Sequence, residues 1–425
     1  MLSSHFHRYW LLSILAVALF IRILAAFYLG NTVSGLSGAQ DEITYSMLGQ
    51  RFASGHGMTF PENWYPWIKA DAPQSYFSYT ISLYLAGIYT LFGYQPIVAR
   101  LITGVLSTLL VLMIYLVAKR LFGERVALIS SAIAAVYAYL IFYGVTLITE
   151  TPFMLALVIA IYVALRVKEQ PSVGLWVTLG VTLAMTILLR MAVIAFVPLL
   201  LLWLALELRD RTQLKMLFIP VLIIVLAVLP FTIRNYLLWN NFVLMQTQFG
   251  HVFWNGNHPG HNGNFHPYRV FPIPEEVLTS KNEGGTLPSD AEITNRLFRL
   301  GIENVQNDPP HFVLLTLTRL RELFKFWPTH DSTLQANLFR IISFGALLPF
   351  TIIGLILNLR NWRTLAPVYL FILIHTGIHA VTWTMIRYRI PLDVFFIMFA
   401  AYALDVGYST VRKRIKGRRQ IVPQV

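Results

Sequence analysis

Long apolar runs recur along the whole of this 425-residue chain, and they constrain its fold more than any other feature. The first run, residues 10–30, matches the roughly 20 residues that a membrane-spanning helix needs. Only 12% of the residues are charged and 56% are apolar, whereas ordinary soluble domains carry about 25% charge. The pattern therefore predicts an all-α polytopic membrane protein.

About ten segments are predicted to span the membrane, with both termini cytoplasmic. They are residues 10–30, 97–118, 126–146, 152–166, 173–189, 191–206, 214–232, 338–358, 365–383 and 391–410. The stretch 76–93 is apolar enough to span, but a span there would place the basic loops 119–125 and 412–419 outside, against the positive-inside rule. We therefore predict an interfacial helix at 76–93, and another at 311–327, where four charged residues interrupt the apolar pattern.

This topology leaves two long external segments, 31–96 and 233–337, within a single membrane domain that covers 1–410. Residues 411–425 form a basic cytoplasmic tail. The net charge of +13 comes largely from loops on the cytoplasmic side, where Lys and Arg face anionic lipid. Membrane lipids are therefore the expected partner of this charge, and nucleic acid is not.

Several classes of site are excluded or disfavoured by residue content. The chain has no cysteine, which excludes disulfides, thiolate metal ligands and thiol nucleophiles. It carries no glycine-rich phosphate loop or zincin motif. Its histidines His251, His258, His261 and His266 lack a regular ligand spacing, so a histidine metal site is disfavoured and the metal ligands, if any, stay unknown.

Seven charged residues fall at the external ends of the predicted spans. They are Asp41, Glu42, Glu150, Arg190, Arg234, Arg387 and Arg389. Charges near membrane depth are costly and persist where they pair or line a polar cavity, so each is a functional candidate. The acids come from the early loops and the arginines mostly from the later ones. Arginine binds phosphate bidentately and a carboxylate can take a proton from an attacking hydroxyl, so this set suits cleavage of a bond to phosphate.

Each of these residues also has a structural interpretation. Asp41 and Glu42 suit the N-terminus of a helix that begins "DEITYSMLGQRF", and Glu150 precedes a helix start at "TPF". Arg190 and Arg234 could extend to lipid headgroups. "RYRIP" could be an interfacial anchor with its proline in the first helical turn.

Four stretches resemble one family of membrane enzymes. They are "AQDEITYSMLGQRFASGHGMTF", the segment from "LFGYQPIVAR" to "ITETPFML", "LPFTIRNYLLWNNFVLMQTQFGHVFWNGNHPGHNG" and "IRYRIPLD". In order and spacing they resemble the family 39 glycosyltransferases, the bacterial relatives of dolichyl-phosphate-mannose protein mannosyltransferases and lipid A aminoarabinose transferases. The resemblance covers most of residues 10–410 and implies the C-type glycosyltransferase (GT-C) fold.

The resemblance also implies residue roles. Asp41 matches the catalytic acid of the first loop, with Glu42 beside it, and Glu150 matches the acid of the second loop. Arg387 and Arg389 match the late-loop arginines that would hold a lipid phosphate. The substrate-binding residues predicted from the resemblance and the charge pattern complete the set: Tyr45, Lys69, Arg190, Arg234 and Asn235. Lys69 is displaced from the family pattern in "KADAPQSY", which puts its phosphate role in question.

The implied reaction is an inverting transfer of a sugar from a polyprenyl phosphate to a lipid, glycan or protein acceptor. It would occur on the external, periplasmic face of a bacterial inner membrane. No cofactor is required for it, although a divalent metal is possible. The alternative from a different class is a polyprenol-linked sugar transporter or flippase, since many spans and intramembrane charges also fit a carrier.

Overall fold

The computed structural model describes residues 2–35, 39, 41–208, 210–263, 271–281, 287–330 and 332–419. Its α-helices are α1 Leu2–Leu29, α2 Asp41–Ala53, α3 Tyr79–Phe92, α4 Pro96–Phe122, α5 Glu124–Val136, α6 Ala138–Phe142, α7 Glu150–Glu169, α8 Val173–Leu189, α9 Val197–Glu207, α10 Phe218–Trp239, α11 Gln248–Gly256, α12 Glu275–Thr279, α13 Asp290–Asn307, α14 Pro309–Leu323, α15 Leu334–Phe339, α16 Ala346–Leu357, α17 Trp362–Val381 and α18 Ile386–Arg419. Short 3-10 helices cover Met191–Ala195, Arg211–Leu217 and Leu359–Asn361, and a π-helix covers Arg340–Gly345. Across these described ranges there is no β-strand, only two isolated bridges.

Seven helical segments of the described chain are long and apolar enough to cross a membrane. They are His7–Leu29, Pro96–Phe122, Glu150–Glu169, Gln213–Trp239, Leu334–Leu357, Leu359–Val381 and Ile386–Ile415. The other three predicted spans are helical but shorter. Extended backbone at Tyr137 separates α5 from α6, and extended backbone at Arg190 ends α8 before Met191–Ala195. The prediction of an all-α integral membrane protein is confirmed.

Both segments predicted as interfacial helices are helical, as α3 and α14. The 14 residues of α3 extend over about 21 Å at 1.5 Å per residue, less than the roughly 30 Å hydrocarbon core of a bilayer. α3 packs closely on α2, where a Cβ on Gly49 would come within 2.8 Å of the Leu85 Cβ atom. Their position in the interface stays a prediction, and the lengths of both helices favour it over a full span.

Helix α18 is the centre of the bundle. In an 18-residue apolar stretch of α18, 72% of the residues are buried inside the protein. The same fraction is 17% for His7–Leu29 and 11% for Gln213–Trp239. α18 packs against α16, α5 and α4. The helices at the periphery expose their apolar side chains, where lipid would contact them. The central helix, α18, contains "RYRIP" in its first turns. The chain therefore places its late arginines at one end of the most buried helix.

The two long segments between spans meet in an aromatic cluster that we define by Tyr65, Trp67, Tyr76, His251 and Trp254. Tyr65 and Trp67 stack with centroids 5.0 Å apart, and the His251 ring contacts both of them edge-on. The hydroxyl of Tyr76 lies 2.6 Å from His251 Nδ1. His251 is therefore a buried link between the first segment and α11.

This cluster predicts a specific pH dependence. Burial lowers the pKa of His251 from 6.5 to about 4, so the folded protein resists a proton that the unfolded chain accepts. The contribution of His251 to the free energy of unfolding is therefore fully present above about pH 6.5. It decreases as the pH falls towards 4, and the loss at pH 4 is about 3 kcal/mol. Melting temperatures measured at several pH values should therefore fall less steeply in His251→Gln than in wild type. His330→Gln, an exposed histidine, is the control; equal slopes in wild type and His251→Gln would contradict the prediction.

Candidate active site

A cavity of about 660 Å³ lies where α2, α11, α13 and α17 meet the ends of α8 and the start of α18. That volume is within the range of ordinary small-molecule sites, roughly 300–1,000 Å³. One end is charged, with Asp41, Arg190 and Arg387. The other lining residues are apolar or neutral polar side chains. The cavity is therefore shaped for a molecule with an anionic, an apolar and a neutral polar part.

At the charged end, acids and arginines alternate. The Nη2 atom of Arg387 donates to Asp41 Oδ2 at 2.5 Å, and its Nε lies 3.7 Å from Glu150 Oε1. Arg190 donates to the same Oε1 atom of Glu150 through Nη2. The four side chains come from four separate parts of the sequence, at α2, α7, the end of α8 and α18, and together they carry no net charge. An arriving anion would therefore add the first uncompensated charge to this cluster.

Glu150 lies beneath the cavity and holds both arginines. Its side chain is 1% exposed, and it is not among the cavity-lining residues. Arg190 is fixed at a second point, because its Nε donates to Thr149 Oγ1 at 3.1 Å. Its Nη1 makes no hydrogen bond to any described residue. The buried carboxylate therefore orients two guanidinium groups while leaving donors on them for a ligand.

The first turns of α2 point the acidic pair in two directions. Asp41 and Tyr45 are four residues apart on one helix face, and both line the cavity. Burial raises the pKa of Tyr45 above its usual range, so Tyr45 acts there as a neutral phenol. Glu42 faces away, fully buried, in an ion pair with Arg100 (Nη1–Oε1 2.5 Å), and burial raises its pKa against the opposing effect of Arg100.

Arg100 joins this pair to the chain on either side of it. Its Nη2 donates to Thr32 O at 2.8 Å, its Nε to Gly30 O at 3.2 Å and its Nη1 to Val145 O at 3.1 Å. The guanidinium therefore ties the end of α1 to the turn before α7. Since Glu42 is adjacent to Asp41, this buried contact fixes the start of α2. Glu42 thus lies in a supporting position, although a catalytic role for it stays a prediction.

Arg389 lies away from the cavity. It is completely buried and pairs with Asp393 (Nε–Oδ1 3.0 Å), which also accepts a hydrogen bond from the Tyr137 hydroxyl at 2.8 Å. Its Nη1 donates to Lys325 O at 3.1 Å, and its Cζ lies 3.7 Å from the centre of the Phe344 ring. This geometry favours a structural role for Arg389 over the predicted contact with lipid phosphate.

The remaining predicted residues lie outside the cavity wall. Asn235 accepts from Ser75 Oγ at 2.7 Å and donates to Met245 O at 3.0 Å. Arg234 lies with its Cζ 4.8 Å from the centre of the Tyr79 ring. Both residues therefore join the end of α10 to the first long segment. Lys69 is exposed in a loop. Its predicted role in binding substrate stays a prediction.

The apolar wall is open at its edge. The 3-10 turn Met191–Ala195 lines it together with Phe242 and Phe249. Phe242 is 73% exposed and Phe249 is 47% exposed. Exposed aromatic side chains at the mouth of a cavity in a membrane protein are positioned to contact lipid.

Sequence reasoning missed three groups near the site: Arg100, His375 and His379. The two histidines line the cavity from α17. Each lies inside an apolar run, where an ionisable residue is itself a signal of function, and their spacing of four places them on one helix face. Throughout the described residues no group of three or more His, Asp or Glu side chains lies close enough to hold a metal ion. His266 falls outside the described part of the chain.

One family model matches the chain. It is that of dolichyl-phosphate-mannose-protein mannosyltransferase, and it matches residues 78–233. This region contains Glu150 and Arg190 but neither Asp41 nor Arg387. No curated protein sequence matches the chain.

Solved structures match nearly the whole chain. The apo oligosaccharyltransferase of Archaeoglobus fulgidus matches with a TM-score of 0.61 at 16% identity, over 98% of this chain and 52% of that one. The oligosaccharyltransferase AglB from Archaeoglobus fulgidus, in complex with an inhibitory peptide and a dolichol-phosphate, matches with a TM-score of 0.59 at 14% identity, over 99% of this chain and 53% of that one. ArnT from Cupriavidus metallidurans, bound to undecaprenyl phosphate, matches over 98% of this chain and 81% of that one at 15% identity. Its TM-score of 0.45 is too low to support the fold assignment.

These matches define the class of fold. The chain has the GT-C glycosyltransferase fold and spans about half the length of the archaeal oligosaccharyltransferase. The predicted fold class is therefore confirmed. At these identities the likeness extends to the fold alone, so activity, substrates and partners are argued below from the site.

Proposed function

We propose that this chain is a glycosyltransferase that moves a sugar from a polyprenyl phosphate to an acceptor hydroxyl at the external face of the membrane. The observation that carries the proposal is the charged end of the cavity, where Asp41 lies beside two arginines fixed by one buried carboxylate. The match of residues 78–233 to a mannosyltransferase family supports the same class of reaction.

The chemistry follows from these positions. The phosphate of the donor binds Arg190 and Arg387, whose guanidinium groups suit its oxygens. The acceptor oxygen attacks the anomeric carbon, its proton passes to Asp41, and the bond from that carbon to the phosphate oxygen breaks with its electron pair retained by the phosphate. Configuration at the anomeric carbon is inverted because a single displacement occurs. The arginines stabilise the extra negative charge that develops on the leaving phosphate.

The apolar wall supports a lipid carrier. A polyprenyl chain leaving the phosphate would pass Met191–Ala195 and the exposed Phe242 towards the bilayer. The turn at Met191–Ala195 follows directly from Arg190, so one interruption of the α8–α9 pair serves both the phosphate and the lipid. In this proposal the break between α8 and α9, which lies at the boundary of the predicted spans 173–189 and 191–206, therefore has a functional reason.

Transfer by purified protein tests the proposal. The protein in lipid nanodiscs is given polyprenyl-phosphate donors with radiolabelled mannose, glucose or galactose and a cell-envelope fraction as the source of acceptors. We expect release of polyprenyl phosphate and movement of label into the envelope fraction. Binding of donor without any release would contradict the enzyme, and sugar-lipid movement across vesicles would then support the carrier. The same assay with a chelator tests whether a divalent metal is needed.

A further inference from the structure

The neutral polar wall of the cavity has no role in the reaction described so far. It is formed by His379 near the end of α17 and by Thr382 and Trp383 just after it, and the cavity lining also includes Gln246 and Asn295. Among the described lining residues the only carboxylate is that of Asp41 and the only guanidinium groups are those of Arg190 and Arg387. A wall with hydrogen-bonding groups, an indole ring and no charge has the chemistry that recognises a sugar ring.

His379 is held in one orientation within this wall. Its Nδ1 lies 3.2 Å from the carbonyl oxygen of Trp383, and its ring stacks on Tyr388 with centroids 4.3 Å apart. Cation–π contacts place Arg190 and Arg387 at 5.5 and 5.3 Å from the centre of that tyrosine ring. The imidazole is therefore fixed relative to the two arginines that we assign to the donor phosphate.

The contact with Trp383 also sets the tautomer. A carbonyl oxygen can only accept, so Nδ1 carries the proton and donates it. In a neutral ring Nε2 then keeps its lone pair. Nε2 makes no hydrogen bond to any described residue. His379 thus presents one hydrogen-bond acceptor at the cavity wall, at a site already close to the phosphate end.

We infer that His379 accepts a hydrogen bond from a hydroxyl group of the transferred sugar, and that this sugar is uncharged. This inference rests on the proposed glycosyl transfer and adds the class of its substrate. An amino sugar would bring a cation to a wall that has no carboxylate beside it, close to two arginines. A uronic acid would bring an anion to a wall with no cation other than those that hold the phosphate.

Two polar substitutions distinguish the roles of the two ring nitrogens of His379. Asn places its amide near the position of Nδ1 and leaves nothing at Nε2, whereas Gln reaches the position of Nε2. We expect His379→Asn to slow transfer about 10- to 100-fold, as for loss of one buried hydrogen bond, and His379→Gln to recover most of the rate. Binding of polyprenyl phosphate without sugar should be unchanged in both variants. His330→Asn and His330→Gln are matched controls at an exposed position outside the cavity.

Donor analogues complete the experiment. The panel contains undecaprenyl-phosphate mannose, glucose and galactose, their monodeoxy derivatives, and the corresponding amino sugars and uronic acids, assayed at about pH 6.5, where the amines are cationic and the carboxylates anionic. In wild type one deoxy position should reduce the rate at least tenfold, and that penalty should disappear in His379→Asn because the two changes remove the same contact. Deoxy penalties that are identical in wild type and His379→Asn would overturn the inference, as would a preference for charged sugars. If wild type consumes no donor in the panel, the proposed function itself fails, which distinguishes the two outcomes.

Discussion

Replacing Asp41 with Asn is expected to lower the rate of sugar transfer by about 10²–10⁴-fold, the usual contribution of a positioned general base. The amide keeps the shape of the side chain but cannot take the proton of the acceptor. Donor affinity should be retained or rise, because Arg387 now spends one of its donors on Asp41 at 2.5 Å and that donor would be freed for phosphate. The transfer rate is therefore expected to fall without any loss of donor affinity.

The measurement is a pair of titrations on the purified variant. Transfer rates at saturating donor give the effect on chemistry, and titration with polyprenyl phosphate gives the effect on binding. Asp71→Asn is a matched control, since Asp71 is another carboxylate of the first long segment that pairs with an arginine, Arg51, but lies outside the cavity. Its positive φ of 54° is also well tolerated by Asn. Transfer that is unchanged in Asp41→Asn would remove Asp41 from the mechanism.

The membrane helices could be predicted from the sequence because apolar runs of about 20 residues leave few alternatives. The break at Arg190 could also be predicted, because the predicted spans 173–189 and 191–206 meet there. The break at Tyr137 could not, because Tyr137 lies within the predicted span 126–146 and its extended backbone depends on contacts that form only in the folded bundle. The positive-inside rule kept 76–93 out of the spans, and the 14-residue length of α3 agrees with that assignment.

The sequence predicted which residues form the charged end of the site, but not how they are arranged. Charged residues beside membrane spans are rare and costly, so Asp41, Glu150, Arg190 and Arg387 stood out in the sequence. Their alternation around the buried Glu150 depends on the packing of four separate helices, α2, α7, α8 and α18, and no local sequence pattern predicts it. His379 was missed because a single histidine in an apolar run has no motif around it, although its spacing from His375 gives a weak signal.

Side-chain direction is a second limit. Residues on an α-helix are about 100° apart around its axis, so neighbours in sequence face different environments. Glu42 turns to Arg100 while Asp41 turns to the cavity. Arg387 and Arg389 are about 200° apart at the start of α18, and only the packing of that helix decides which of them reaches the ligand. The sequence could therefore predict that both arginines are candidates for binding phosphate, but not that their roles differ.

Arg387 and Arg389 are therefore expected to give opposite results when each is changed to Gln. Arg387→Gln should weaken binding of polyprenyl phosphate about 10- to 100-fold, the loss of one charged hydrogen bond, with little change in the melting temperature. Arg389→Gln leaves the buried carboxylate of Asp393 without its partner, which should cost about 3–5 kcal/mol of stability.

A double variant decides whether Arg389 has any part in binding. Arg389→Gln with Asp393→Asn replaces the buried ion pair by two amides and keeps an acceptor for the Tyr137 hydroxyl, which donates to Asp393 at 2.8 Å. Removing both charges should recover much of the lost stability, because an uncompensated buried charge is what makes the single change costly. If the stabilised double variant binds polyprenyl phosphate as wild type does, Arg389 supports the fold and Arg387 binds the phosphate. If affinity is still lost after stability returns, Arg389 contacts the donor as the sequence alone suggests, and α18 must rotate or shift when the donor binds.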